Sequence, residues 1–195
     1  MSLNIDTERE KLDRVPALAL ELVHLRVDVI VTGGSQATLL AKDATAKFPI
    51  VMAQDNDPVA SGFAASLARP GGNITGLSNL TPELTGKQLE LLKEIIPKIS
   101  RVAVLRDLTE PGTPQTVRQT ELAAQGFGVQ PHYADIQRQR DIDTAFHAVS
   151  NRRVEALLVL PSAVFNSNRE QIVALAVKAG FLRCTPGRNM WKTEG

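Results

Sequence analysis

An α/β fold organised as two small lobes, each built on a parallel sheet, is what this sequence predicts. Three observations carry that prediction. Short β-branched apolar runs alternate with amphipathic segments along most of the chain, Gly, Pro, Asn and Asp gather between them, and the rhythm pauses once, near Leu80, before starting again. Strands that alternate with helices imply parallel pairing through right-handed crossovers. The lobes divide at 4–79 and 80–193.

The first helix is expected over 13–26, where Val15, Leu18, Leu22 and Leu25 share one face; Asp13 offers a cap and Pro16 suits the first turn. Residues 27–31 (VDVIV) read as a buried strand, and Thr32-Gly33-Gly34-Ser35 turns out of it. A helix over 37–47 and a strand over 49–53 follow. Asp57-Pro58 opens another helix to 68, which Arg69-Pro70-Gly71-Gly72 stops, and 73–78 is the third strand. A longer helix covers 81–96, with Leu84, Leu91, Leu92 and Ile95 at core spacing, and Pro97 ends it. The second lobe repeats the rhythm: strand 102–105, helix 113–125, strand 129–133, helix 140–151, strand 156–160 and helix 168–179.

The totals narrow the function. The 195 residues, 43% hydrophobic and 22% charged, are enough for a real core. Lys plus Arg (22) nearly cancels Asp plus Glu (21), so no net field recruits a phosphate backbone, and 4% aromatics is too few for a base-stacking platform. No nucleic-acid partner is expected. The single cysteine, Cys184, leaves no intrachain disulfide and no cysteine-built metal site, and His24, His132 and His147 lack metal-ligand spacing. No apolar run reaches membrane-spanning length, and the N-terminus shows no basic segment followed by an apolar core, so no signal peptide is expected within the chain. Met1-Ser2-Leu3 and Glu194-Gly195 resemble residues left by an expression vector.

In an open parallel sheet ligands bind beyond the carboxyl ends of the strands. The residues just after each strand are therefore the candidates. Gly33-Gly34-Ser35-Gln36 either brings backbone and helix N–H groups close to a ligand or simply makes a tight turn. Gln54 and Asp55 sit at the second strand end, suited to hydrogen-bonding a polar solute, whereas Asp57 before Pro58 reads as a helix cap. Ser78 and Asn79 either face a ligand or cap the next helix. In the second lobe Asp107 accepts from a ligand amino group or pairs with Arg106, and Pro161-Ser162 follows the 156–160 strand. Asn151-Arg152-Arg153 is a helix-end charge cluster that compensates the dipole. Catalysis fares poorly: GxSxG, P-loop and GxGxxG patterns are absent, and Asp55 with Asp57 lacks a nucleophile or a convergent histidine. The chain reads as a binder and not an enzyme, with no cofactor and no metal.

The run DPVASGFAASLARPGGNITGLSNLTPELTGKQLELLKEIIPKISRVAVL, from Asp57 to Leu105, closely resembles the ABC-transporter substrate-binding family that includes tryptophan- and tyrosine-type binders. LDRVPALALELVHLRVDVIVTGGSQATLLAKDATAKFPIVMA before it and VEALLVLPSAVF after it extend the likeness from Leu12 to Gly180. The resemblance implies a type I periplasmic-binding fold: two Rossmann-like lobes, a hinge, a small-molecule ligand such as an amino acid in the interlobe cleft, and closure that an ABC permease reads outside the cytoplasm. By position the family's cleft residues fall on Ser35, Gln36, Gln54, Asp55, Ser78 and Asn79, and on Asp107 and Ser162. Relatives usually carry Trp-Asn-Pro where this chain has Arg106-Asp107-Leu108, so the resemblance does not carry ligand identity across.

Measured against that pattern the chain is expected to be incomplete, lacking a first strand–helix unit and the downstream return. The tail over 181–193, FLRCTPGRNMWKT, departs from the family. Read one base back, permissible codons turn it into LPAMYAGKEYVED, which resembles the family's next strand and loop, and a frameshift is the expected cause. An exposed edge at the 27–31 strand is then expected to recruit a second copy into a homo-oligomer, and solute binding is expected to be weak or absent. A cytoplasmic sensory or regulatory domain of the same fold is the alternative reading.

Overall fold

A computed structural model describes residues 15–79 and 81–184, which form two units. Among the described residues the first unit takes 15–79 and 81–82 together with Thr109–Gln115; the second takes Glu83–Leu108 and 116–184. The sequence reading placed everything after 80 in the second lobe, so the return of Thr109–Gln115 to the first unit is a structural finding.

In the first unit the order is α1 (Val15–His24), β1 (Ile30–Gly33), α2 (Ser35–Ala44), β2 (Ile50–Asp55) and β3 (Ile74–Ser78). The strands pair in parallel in the order β1-β2-β3. Register aligns Ile30, Ile50 and Ile74 in one row across the sheet, all buried, with Leu22, Ala41, Met52 and Phe63 packed on the same face. Alternate residues point the other way. There Val29, Val31 (54% exposed) and Leu77 (68%) face outward, and β1 is an edge strand among the described residues.

The strand expected at 27–31 therefore starts three residues later and is buried on one face only. The cause is the end of α1. Arg26 sits at φ 51°, its amide bonds the Val23 carbonyl at 3.2 Å, and the Val27 amide reaches the Leu22 carbonyl at 3.5 Å. This pattern closes a helix by a left-handed residue and consumes Val27. The helix expected over 57–68 is likewise a single turn: the Gly62 amide bonds Val59 and the Phe63 amide bonds Pro58, with Gly62 at φ 71°. Glycine takes that left-handed φ at no steric cost, and helix growth stops there.

The second unit holds most of α3 (Thr81–Ile95), β4 (Arg101–Asp107), most of α4 (Thr113–Phe127), β5 (Gln130–Ile136), α5 (Asp141–Ser150), β6 (Ala156–Val159), α6 (Ala163–Ser167), α7 (Arg169–Lys178) and β7 (Leu182–Cys184). Its sheet is parallel in the order β5-β4-β6-β7. Central β4 sends Val102 and Val104 toward Leu89 and Leu92 of α3 and Ala124 of α4. Ala103 and Leu105 go to the opposite layer, formed by Ile142 and Phe146 of α5 with Ile172 and Ala176 of α7. Both faces are thus covered, as a parallel sheet requires. The α6 turn was not foreseen. Of the four α3 residues expected in the core only Leu92 is buried, while Leu84, Leu91 and Ile95 are exposed. The helical period is right but its phase is not, because six Leu and Ile residues crowd this helix and its end and define more than one stripe. Asp13 and the tail beyond Cys184 lie outside the described residues.

Gly76 pairs with Met52 at φ 148°, and a β-carbon there would lie 2.2 Å from the Met52 carbonyl oxygen. Gly76→Ala is expected to destabilise the first unit by about 3 kcal/mol. Gly126→Ala in α4, where an added carbon meets nothing within 4 Å, should instead gain about 0.5 kcal/mol. Urea midpoints check both; a Gly76→Ala midpoint equal to wild type contradicts the packing described.

Candidate functional site

The carboxyl end of the first sheet gathers six of the eight expected residues. Thr32 of β1 and Thr38 of α2 share a buried hydroxyl–hydroxyl bond of 2.8 Å, and the Thr38 amide and hydroxyl both bond the Gly34 carbonyl at 3.0 Å. These bonds hold the start of α2 against the end of β1, with Gly34 as N-cap at φ 123° and Ser35 first in the helix. Register sets Gln54 opposite Gly33 and Asp55 opposite Ser78, and the Asn79 amide bonds the Asp55 carbonyl at 2.8 Å. Gln54 and Asn79 are exposed, Gln36 and Ser78 half-buried, and Ser35 and Asp55 only 1% exposed.

Polar satisfaction at this end is incomplete. Asp55 Oδ1 accepts the Asp57 amide at 3.0 Å, but Asp55 Oδ2, Ser35 Oγ and Gln36 Oε1 are sealed from solvent without a hydrogen-bond partner among the described residues. Such groups are rare in native interiors. Burial pushes the Asp55 carboxyl above its ordinary value; the nearby Ser35 hydroxyl and the Asp57 amide pull it down, while the Asp57 carboxylate adds to the rise. Asp57 itself caps a turn, accepting the Ala60 amide at 2.9 Å, as its position before Pro58 suggested.

In the second unit Asp107 ends β4 and Ser162 follows β6. The Ser162 hydroxyl donates to Asp107 Oδ2 at 2.7 Å and accepts the Phe165 amide at 3.3 Å as N-cap of α6; both residues are 2% exposed. The Arg106–Asp107 pairing offered as an alternative does not form. Arg106 reaches across the register to Asp135, donating to both its carboxylate oxygens, and stacks 4.6 Å over the Tyr133 ring. Burial and the Glu121 carboxylate raise the Tyr133 hydroxyl to about 12, with Arg106 opposing them. Nothing in the sequence signals this trio, since it depends on the β4–β5 register.

Among the described residues no His, Cys, Asp and Glu group is placed to hold a metal, and no helix is long and apolar enough to cross a membrane. The first unit's cavity of about 460 Å³, lined by Lys42, Phe63 and Asn73, contains none of the expected site residues, and neither does the 520 Å³ cavity beside Glu121 and Gln130 in the second. Both cavities are open surface depressions, whereas three unmet buried polar atoms, on Ser35, Gln36 and Asp55, lie together at the carboxyl end of the first sheet.

A family model described as ABC transporter substrate binding protein matches residues 3–181. A curated tyrosine-binding protein from Clostridioides difficile is 28% identical over 110 residues, covering 56% of this chain and 31% of that protein. The crystal structure of an ABC domain in complex with L-Trp from Streptococcus pneumonia superposes with a TM-score of 0.84 at 21% identity. A conserved domain protein from Vibrio cholerae gives 0.84 at 24%. Each solved structure covers 91% of this chain, and the chain spans 59% of each. These likenesses establish the α/β fold with parallel sheets, and the family match disfavours the sensory-domain reading.

The raised Asp55 carboxyl has a sign that can be tested. The folded chain holds that proton more tightly than the unfolded one, so this residue's stability contribution is present in acid and lost as pH rises through the folded value. Asp55→Asn, which keeps an oxygen for the Asp57 amide, is expected to be more stable than wild type at neutral pH and equal to it in acid. Paired urea midpoints across that range check it; a gap independent of pH contradicts it.

Proposed function

The chain belongs to the ABC transporter substrate-binding protein family, and from that premise we propose that it is the solute-binding component of an ABC importer. Its solute is a small polar, amino-acid-like molecule. One observation carries this reading most: three buried polar atoms, on Ser35, Gln36 and Asp55, lack partners at the end of a parallel sheet where this class of fold takes its ligands. Gln54, Ser78 and Asn79 stand at that same sheet end, and Asp107 and Ser162 stand at the corresponding end of the second unit's own sheet. The names of relatives point the same way, one being a tyrosine-binding protein and another crystallised with L-Trp.

In this reading the intact protein acts outside the cytoplasm and presents its solute-bound form to an ABC permease. The reader is mechanical, since only a solute with different affinity for two conformations shifts their balance. Calorimetric titration with L-tryptophan, L-tyrosine and L-leucine tests the reading. We expect association in roughly the millimolar range that falls several-fold in Gln54→Ala and Asn79→Ala and is unchanged by Lys47→Ala. Absence of binding by any of the three, or equal effects of all three variants, contradicts it.

The homo-oligomer proposal rests on β1. Its outer edge is unpaired among the described residues, and Val29 and Val31 are exposed beside it. Such an edge templates pairing with another chain. Light scattering at low micromolar concentration should report a dimer or larger species, and Val31→Lys should shift it toward monomer. A monomeric wild type contradicts the proposal.

A further inference from the structure

Thr109–Gln115 belongs to the first unit although the residues on both sides of it belong to the second. A segment that crosses in this way needs an anchor, and the anchor is visible. Glu110 is 6% exposed, and its Oε1 accepts the Asn56 side-chain amide at 3.1 Å, across 54 residues of sequence. Asn56 stands between Asp55, whose carboxylate accepts the Asp57 amide, and Asp57, whose carboxylate caps the next turn. Glu110 also uses its backbone: its carbonyl accepts the Thr113 amide at 3.1 Å, where α4 begins. Buried Gly112 runs close to Ser61, whose oxygen lies 3.8 Å from where a β-carbon would stand.

We propose that Glu110 is a positioning residue, which through Asn56 clamps the crossing segment onto the exit of β2 and so holds the Asp55 turn in its binding geometry. The positioning role rests on the reading of the Asp55 end as the solute site; the clamp itself does not. A carboxylate this buried is costly unless its acceptor capacity is used, and an amide donor from the residue beside the site uses it. The clamp makes the order of the site turn and the order of the crossing segment one property.

Hydrogen exchange by mass spectrometry on the full chain tests the clamp, using segments 55–61 and 109–115. Glu110→Ala and Asn56→Asp should speed exchange in both segments by about tenfold. Glu110→Gln keeps an accepting oxygen and should stay near wild type. In the double variant, Asn56→Asp with Glu110→Gln, the amide donates to the new carboxylate, and exchange should return toward wild type. Faster exchange spread evenly over both units, unchanged exchange, or a double variant no slower than Asn56→Asp alone overturns the clamp. L-Tryptophan titration tests the positioning role: Glu110→Ala should bind several-fold more weakly than wild type and Glu110→Gln should not. Equal affinity in Glu110→Ala and wild type overturns that role. Failure of wild type to bind at all instead overturns the site reading, leaving the exchange result to decide the clamp.

Discussion

A parallel strand cannot return directly to its neighbour; each needs a helical crossover, and all crossovers share one hand. Every strand in a sheet therefore ends on the same side. That constraint organises this molecule. It brings Gly34 and Ser35 after β1, Gln54 and Asp55 at the end of β2 and Ser78 and Asn79 at the end of β3 to one edge of one sheet, and it brings Asp107 and Ser162 within 2.7 Å at the corresponding edge of the other. There the buried Asp55 carboxylate accepts the Asp57 backbone amide, a donor that the chain leaving the strand supplies and a sheet interior lacks.

The two sheets meet their covering requirement differently. The second has helices on both faces, and its central strand is fully enclosed from Val102 to Leu105. The first has one covered face and one that presents Val29, Val31 and Leu77 among the described residues. Apolar cover sets local stability. The first unit is accordingly the one whose order depends on added contacts, of which the crossing segment held by Glu110 is one.

Much of this was legible in the sequence. The alternation of strands and helices is a matter of period, which short apolar runs and Gly or Pro punctuation reveal. The six first-unit candidates follow from strand ends alone. What escaped depends on geometry that period does not encode. Arg26 in a left-handed conformation delays β1, and Gly62 ends a helix after one turn. The phase of α3 is decided by which of its leucines meets the sheet, and here Leu89 and Leu92 do. Arg106 finds Asp135 because register aligns them, and Glu110 finds Asn56 because the chain recrosses. Long-range polar pairs of this kind have no local signature.

Family membership and the shared fold leave one claim at the centre: the solute lies against the carboxyl end of the first sheet. Intermolecular nuclear Overhauser effects between L-tryptophan ring protons and the labelled protein measure that position directly. The account predicts contacts to Gly34, Gln36, Gln54 and Asn79, and none to Phe48, Pro49 or Asn73 at the opposite end of the same strands. Contacts at that opposite end, with none at the carboxyl end, would contradict it.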